Sequence, residues 1–318
     1  MADKSALVIG ATGGIGGAVA RVLRDRGWEV RGLNRDAASA ARRRPDLDIA
    51  WLSGDAMNAA DVTRAARGVS LIVHGANPPG YRNWAGTVRQ MLDSSIAAAK
   101  ASGARILFPG TVYNYGADAF PVLRESAPQH PFTRKGQLRV AMERRLQAAA
   151  EEGVRSVVVR FGDFFGPGAG NSWFAQGLVA PGRKLTHVTY PGRPEIGHAW
   201  AYLPDAAETM VRVTERGDAL APFDSFHMEG HWFEQGGALV ESIRRVAGRA
   251  VPARRLPWWA IRLASPFVPL FREMAEMRYL WKIPLRLDNA KLFALIGPEP
   301  HTAVDSAVHA TLEDLRCL

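Results

Sequence analysis

The chain has 318 residues, of which 47% are hydrophobic and 22% charged, and this composition excludes a disordered tail and a small disulfide-stabilised scaffold. Lysine and arginine number 40 against 31 acidic residues, and the net charge of +9 favours anionic partners such as phosphate-bearing cofactors, acidic substrates or nucleic acid. The single cysteine, Cys317, excludes an intramolecular disulfide and a thiolate metal cluster.

The N-terminal residues do not resemble a signal peptide, and no apolar run reaches about 18 residues. We therefore expect a cytoplasmic protein with no membrane span. At about 100–200 residues per domain, the length predicts two domains or one large domain with an appended lobe.

Strands and helices are predicted to alternate along the first half of the chain. Short apolar runs predict strands at residues 6–9, 29–33, 71–73, 105–108 and 156–160. Helical spacing of apolar residues predicts helices at 18–23, 59–66, 91–101 and 137–150. This alternation predicts an α/β fold with a parallel sheet covered on both faces and ligands at the carboxyl ends of its strands.

The regular pattern ends near residue 166, where turn-forming residues become frequent. The segment 258–281 concentrates aromatic residues, leucines and arginines, and we interpret it as a packed helical cap on a second lobe. A dimer contact and a membrane-surface patch are the alternatives for this segment. The arginine run at 42–44 is interpreted as a solvated loop rather than a nucleic-acid contact, because no aromatic residues interleave with it.

A glycine cluster directly follows the first predicted strand and opens the first predicted helix. Gly10, Gly13 and Gly16 permit a tight turn and let the backbone approach a pyrophosphate. The N-terminus of the helix then offers unpaired N–H groups to the anion. The cluster therefore predicts a dinucleotide-binding turn.

The spacing of these glycines, together with Thr12, resembles the short-chain dehydrogenase/reductase superfamily, and later motifs resemble its extended, epimerase/dehydratase branch. The resemblance implies a Rossmann-like doubly wound parallel sheet over residues 1–165. It also implies a small C-terminal α+β or helical substrate lobe over 166–318, with segments near 195–215 returning to the first domain. The cofactor-binding residues that it implies are Gly10, Thr12, Gly13, Gly14, Ile15, Gly16, Asp55, Ala56, Ala76 and Asn77.

The end of the second strand bears on the choice of cofactor. An NAD-preferring site of this superfamily places an acidic residue there, whereas this chain has Asn34 and Arg35. The guanidinium of Arg35 suits a 2′-phosphate, so we predict NADP(H) in preference to NAD(H), with Asn34 and Arg35 at the adenosine ribose. Asp36, the acidic residue that follows Arg35, favours NAD(H) instead.

The catalytic motifs of the extended branch are only partly present. Aligning Tyr115 and Gly116 with the branch's Ser/Thr motif places Thr111 at the position whose hydroxyl holds the substrate oxygen; capping of a turn is the alternative role for this threonine. In the Tyr-x-x-x-Lys motif, Lys135 occupies the tyrosine position and Arg139 the lysine position. The two lie on one helical face because they are four residues apart.

Three hypotheses account for the missing tyrosine. Lys135 acts as the acid or base while Arg139 binds the nicotinamide ribose and phosphates. Alternatively, Tyr113 or Tyr115 supplies the phenol. In the third hypothesis the protein binds the cofactor without doing chemistry.

Substrate-binding residues are predicted in the sixth-strand motif and the loop after it. Asp163 stands where the branch usually has asparagine, and it would accept from a substrate hydroxyl or ammonium. Asn171 and Trp173 follow in the substrate loop, and His198 precedes a returning motif in which Asp205 is predicted to cap a helix.

The leading function is an NADP(H)-dependent oxidoreductase acting on a small carbonyl or hydroxyl compound. The alternatives are an NAD(P)-dependent epimerase or dehydratase of a sugar-like substrate and a non-catalytic NADP(H) sensor. We expect a small-molecule substrate, no metal, no nucleic acid and a homodimer as an option.

Overall fold

The computed structural model describes residues 4–77 and 84–318. In chain order its strands are β1 (Ser5–Ile9), β2 (Glu29–Asn34), β3 (Ala50–Ser53), β4 (Leu71–His74), β5 (Arg105–Thr111), β6 (Val122–Leu123), β7 (Ser156–Phe161), β8 (Asp163–Phe165), β9 (Val188–Tyr190), β10 (His198–Tyr202), β11 (Phe223–His227), β12 (His231–Phe233), β13 (Ala253–Arg255) and β14 (Arg286–Leu287). Its helices are α1 (Gly14–Asp25), α2 (Ala37–Arg43), α3 (Ala59–Ala65), α4 (Trp84–Ser102), α5 (Arg134–Glu151), α6 (Leu203–Thr214), α7 (Gly237–Ala247), α8 (Trp258–Ala264), α9 (Pro269–Glu276), α10 (Ala290–Ile296) and α11 (Val304–Asp314). None of the helices in these ranges is long and apolar enough to cross a bilayer.

A seven-stranded parallel sheet organises the fold. Its strand order is β3-β2-β1-β4-β5-β7-β11. The connections change direction between β1 and β4, and ligands of doubly wound sheets bind in the crevice at such a point. The predicted Rossmann-like fold is therefore confirmed.

Both faces of the sheet are covered because side chains alternate along each strand. On β1, Leu7 and Ile9 join the hydrophobic core under α3, α4 and α5, whereas Val8 joins the core under α1 and α6. Arg26 at the end of α1 forms an ion pair with Glu208 of α6, which ties the later helix to the first one.

The remaining elements build a second hydrophobic core around three small sheets. Those sheets are β12-β10-β8, β13-β9 and β14-β6. The core between them is rich in aromatic residues, which include Phe165, Phe174, Trp200 and Trp281. α6 and β11 belong to the main sheet and its covering layer, so the chain returns to the first core after residue 202.

Two local predictions are corrected by the structure. Arg42 and Arg43 lie in α2, and Arg44 packs beneath the glycine turn, where its Nη1 donates to Ala11 O at 3.2 Å. The run is therefore not a solvated loop. Asp205 does not cap α6, because the helix already begins at Leu203, where a proline in the first turn is compatible with helical backbone angles.

Candidate active site

The glycine turn between β1 and α1 is built for a close backbone approach. Gly10 has φ of +91°, a conformation that glycine adopts without strain. A Cβ at Gly16 would lie 2.4 Å from Gly10 O, and one at Gly10 would lie 2.7 Å from the backbone of Gly75. Only glycine therefore fits at these two positions, and the turn lies directly against the end of β4.

The same turn fits the pyrophosphate of a dinucleotide. Gly13 is the N-cap of α1, and no side chain caps the helix there, so the first N–H groups stay open to an anion. Among the described residues, a Cβ at Gly13 would meet only Gly10 O within 4 Å, at 3.3 Å, so there is open space over Gly13. Thr12, Gly14 and Ile15 belong to this turn and the start of α1, and Ala76 and Asn77 follow β4 beside it.

The residues at the ends of β2 and β3 form two small hydrogen-bonded turns. Asn34 Oδ1 accepts from the Asp36 backbone N–H at 3.0 Å, and Asp36 Oδ1 caps α2 by accepting from Ser39 N at 2.8 Å. Asp55 Oδ1 likewise accepts from Met57 N at 3.0 Å, and Ala56 lies between these two residues. Arg35 is exposed and makes no hydrogen bond or ion pair with any residue in 4–77 or 84–318.

A pocket with about 790 Å³ of empty space opens at the carboxyl ends of β5 and β7. The predicted residues that line it are Thr111, Tyr113, Lys135, Asp163, Asn171 and Trp173. The structure therefore brings together side chains that are up to 62 positions apart in the sequence, from 111 to 173.

Lys135 is buried in this pocket beside an acidic residue from the cap. Its Nζ lies 2.8 Å from Glu273 Oε2 of α9, and the two side chains are 8% and 16% exposed. The backbone N–H of Lys135 also donates to Glu276 Oε1 at 3.1 Å. The pair places a proton donor and a proton acceptor side by side where the resemblance implies a tyrosine.

Thr111 and Tyr113 lie in the pocket, whereas Tyr115 does not. Thr111 Oγ1 accepts from Tyr113 N at 3.3 Å, so the threonine caps the turn after β5 and lines the pocket at the same time. Tyr115 is fully buried with its hydroxyl 3.0 Å from His227 Nε2, and burial raises the pKa of its phenol. This placement removes Tyr115 from the candidates for the acid.

A buried ion pair supports the backbone of Thr111 from behind. Arg160 of β7 binds both carboxylate oxygens of Glu143 on α5, at 2.9 and 2.7 Å, and its Nη1 donates to Thr111 O at 2.7 Å. Both charged side chains are nearly inaccessible to solvent. The pair therefore joins α5, β7 and the end of β5 into one rigid wall.

Asp163 and His198 form a second buried pair at the pocket. His198 Nε2 lies 2.8 Å from Asp163 Oδ2, and the His198 ring stacks on Trp281 with centroids 3.9 Å apart. Asp163 lines the pocket, but His198 lies behind it. Trp173 also lines the pocket and packs edge-to-face on Trp281, and Asn171 Oδ1 accepts from Gln176 Nε2 at 2.8 Å.

Arg139 faces the end of β4 instead of the pocket. Its guanidinium lies 5.7 Å from the ring centroid of Phe108. His74, at the end of β4, is fully buried with Nδ1 2.7 Å from Ser95 Oγ; burial, assisted by the positive charge of Arg139, lowers the pKa of His74 to about 4. Lys135 and Arg139 therefore lie in two neighbouring regions: Lys135 in the pocket, and Arg139 towards the end of β4.

The sequence prediction missed the contribution of α9. Glu273, Met274 and Met277 line the pocket from the C-terminal segment, 138 positions from Lys135 in the case of Glu273. One signal could have found Glu273: it is the first acidic residue after Glu241, in a segment otherwise rich in arginine. The rest of the missed lining consists of Gly110, Val112, Phe161, Gly162, Phe164, Ser172 and Gln176.

Comparison with known proteins gives a family match and several structural likenesses. The model of the NAD dependent epimerase/dehydratase family matches residues 6–227. The structure of a UDP-glucose 4-epimerase from Thermotoga maritima with UDP-glucose aligns with a TM-score of 0.76 at 17% identity and 98% coverage of both chains. A UDP-glucuronic acid 4-epimerase from Bacillus cereus in complex with NAD gives a TM-score of 0.76 at 14% identity, again with 98% of both chains covered. At identities this low, the TM-scores show a shared fold and nothing more. A search of curated proteins gives no match.

Proposed function

Because the chain belongs to the NAD-dependent epimerase/dehydratase family, we propose that it is an NADP(H)-dependent epimerase or dehydratase of a sugar-like substrate. The observation that carries this proposal is the pocket in which Thr111, Lys135, Glu273 and Asp163 converge at the carboxyl ends of β5 and β7. A net oxidoreductase acting on a small carbonyl or hydroxyl compound would use the same pocket, and the two differ in whether the cofactor is restored within one turnover.

The residues at the pocket have two kinds of role. Lys135 and Glu273 donate and accept protons, and we call them the proton pair; Thr111 and Asp163 position the substrate. Glu273 Oε2 accepts the proton of a substrate hydroxyl as that hydroxyl is oxidised, and Lys135 Nζ donates to the oxygen that remains. The Thr111 hydroxyl holds the same oxygen, and Asp163 accepts from a second hydroxyl of the substrate.

The cofactor would be held by the glycine turn, by Asn34 and Arg35 at the adenosine ribose, and by Arg139 at the nicotinamide ribose. The chemistry that a bound nicotinamide would supply there is hydride transfer. Arg35 is exposed and has no acidic partner among the residues that the structure describes, and Asp36 is engaged in capping α2. Both observations support a 2′-phosphate at this place.

The first experiment measures cofactor binding and turnover separately. Purified protein is titrated with NADPH and NADH by nicotinamide fluorescence. It is then supplied with the oxidised nucleotide NADP+ and incubated with a panel of nucleotide sugars and free sugars, whose products are separated by chromatography. We expect NADPH binding and conversion of a sugar without net change in nicotinamide absorbance. Net absorbance change with product would replace the proposal by an oxidoreductase, and binding without any product would replace it by a cofactor sensor.

Lys135→Met tests the proton pair. We expect turnover to fall by about 10²–10⁴-fold, because general acid–base catalysis contributes that much, while NADPH affinity stays within a few-fold. Glu273→Gln, which keeps the size of the side chain, should give a loss of the same order. The matched control is the exposed Lys184→Met, which should retain full turnover; retained activity in Lys135→Met would move the acid role to Tyr113.

A further inference from the structure

The most exposed large hydrophobic side chains in the described part of the chain lie on the cap. Trp259, Leu263 and Phe267 are 75%, 73% and 85% exposed. They are four residues apart, so they follow one side of α8 and of the turn after it. We call these three side chains the apolar face.

The opposite side of α8 is already occupied. Ile261 is buried, and Trp258 Nε1 donates to Pro191 O at 2.7 Å while the Trp258 ring packs against Trp173. α8 is therefore anchored by its inner side and does not need the apolar face for folding. Covering such an exposed hydrophobic surface favours association with a partner that can bury it.

The stretch of sequence that contains the apolar face carries charge of one sign. From residue 242 to residue 272 the sequence has no aspartate or glutamate and seven arginines, namely Arg244, Arg245, Arg249, Arg254, Arg255, Arg262 and Arg272. The first three have partners in Glu241, Asp305 and the carbonyl of Leu185. The other four are exposed, and their side chains make no hydrogen bond or ion pair with any residue that the structure describes.

We propose that the apolar face and these four arginines dock the protein reversibly on an anionic lipid bilayer. Tryptophan, phenylalanine and leucine beside arginines are the composition of helices that lie in a membrane interface. The aromatic and aliphatic side chains enter the boundary between headgroups and acyl chains, and the guanidinium groups bind lipid phosphates. Leu263 and Phe267 favour a bilayer over a nucleic acid, whose phosphates would use the arginines alone.

Docking would place the candidate active site beside the membrane. α8 packs on α9, which supplies Glu273 and Met274 to the pocket, and Met277 directly after α9 also lines it. The docking surface and the pocket are thus formed by adjacent helices of one cap. The proposal itself does not depend on the proposed reaction, and its test uses no activity measurement.

Co-sedimentation with lipid vesicles tests the docking. The full chain is mixed with vesicles of phosphatidylcholine alone or of equal parts phosphatidylcholine and phosphatidylglycerol. We expect binding to the anionic vesicles that weakens as salt is raised, and little binding to the neutral ones. Lipids brominated in the acyl chain should quench tryptophan fluorescence in the native protein and quench it less in Trp259→Phe.

Two variants separate the apolar and the electrostatic contributions. The triple change Arg254→Gln, Arg255→Gln and Arg262→Gln should weaken binding on the order of 100-fold, at about fivefold per arginine near an anionic surface. The triple change Trp259→Ser, Leu263→Ser and Phe267→Ser should weaken it at least about tenfold. Matched controls are Arg42→Gln with Arg43→Gln on α2 and the exposed Phe293→Ser on α10, which should bind as the native protein does.

Three results would overturn the proposal. The first is equal or absent binding to the two kinds of vesicle, and the second is binding that the two triple changes leave at the level of the controls. The third is occupation of the apolar face by another partner. Light scattering would show this as a dimer that the serine variant dissociates, and a gel-shift assay would show it as binding to an oligonucleotide in place of vesicles.

Discussion

At the scale of single residues, the candidate site has a lysine and a glutamate, Lys135 and Glu273, where the family motif has one tyrosine. A tyrosine can both lose and regain a proton at one oxygen. In the proposed mechanism, Lys135 Nζ and Glu273 Oε2, which are 2.8 Å apart, divide these two tasks between two atoms. Each side chain would be costly to bury alone, and their mutual attraction offsets part of that cost. In that mechanism, a residue from another helix compensates for the departure from the family motif at Lys135.

Arg35 is the residue on which the cofactor prediction depends. Replacing Arg35 by alanine should weaken NADPH binding about 10–100-fold, because hydrogen bonds to charged groups contribute about 1.5–3 kcal/mol, and should change NADH binding by less than a few-fold. Fluorescence titration with both nucleotides measures the two effects. Arg42→Ala, an exposed arginine on α2 seven positions away, is the control. Equal losses for the two nucleotides would mean that Arg35 does not bind the 2′-phosphate.

At the scale of secondary-structure elements, buried charge pairs fix the walls of the pocket. The pair between Glu143 on α5 and Arg160 on β7 also holds the carbonyl of Thr111. His198 on β10 holds the carboxylate of Asp163 on β8, and the cap contributes Glu273 to Lys135 on α5. Each wall thus consists of at least two elements connected by a polar contact. The positions of the atoms that line the pocket depend on these contacts.

Glu143→Gln tests the ion pair that connects α5 to β7. It leaves the charge of Arg160 buried without its partner, so the free energy of unfolding should fall by about 3–5 kcal/mol in urea titrations. The control Glu151→Gln, an exposed residue on the same helix, should change it by less than about 0.5 kcal/mol. Combining Glu143→Leu with Arg160→Met should recover most of the loss. A loss in Glu143→Gln no larger than in the control would show that the pair does not join these elements.

At the scale of the whole molecule, burial of neutral histidines links stability to pH. Burial, assisted by Arg139, lowers the pKa of His74 to about 4, and burial, assisted by Arg160, lowers the pKa of His227 to about 3. Both groups titrate near 6.5 when unfolded. As pH falls below this value the unfolded chain binds protons that the folded chain does not, so acid favours unfolding.

The free energy of unfolding should therefore decrease as pH falls from about 6.5 towards about 4, with a slope of up to about 1.4 kcal/mol per pH unit for each histidine. Urea titrations at several pH values in this window measure the slope. His74→Gln should reduce it by up to one histidine's share, and the exposed His309→Gln should leave it unchanged. An unchanged slope in His74→Gln would mean that His74 does not stay neutral in the folded protein.

The sequence by itself determined the fold and the family. Alternation of strands and helices predicted the parallel sheet. The glycine spacing at residues 10–16 indicated the superfamily, and the later motifs indicated the epimerase/dehydratase family that the match over 6–227 confirms. These signals are local: a strand, a turn and a helix N-terminus are encoded by residues a few positions apart, and so their spacing is visible in the chain. The missing tyrosine at Lys135 was visible for the same reason.

The tertiary structure alone decided which side chains share the pocket. It placed Tyr115 in the core, brought Glu273 to Lys135, and paired Asp163 with His198. It also left Trp259, Leu263 and Phe267 on the outer side of a helix whose inner side is packed. Contacts of this kind join residues from 35 to 138 positions apart, and no local spacing encodes them. These contacts follow from the packing of whole elements. The neighbours of a side chain are determined by which helices and strands pack against the element that carries it.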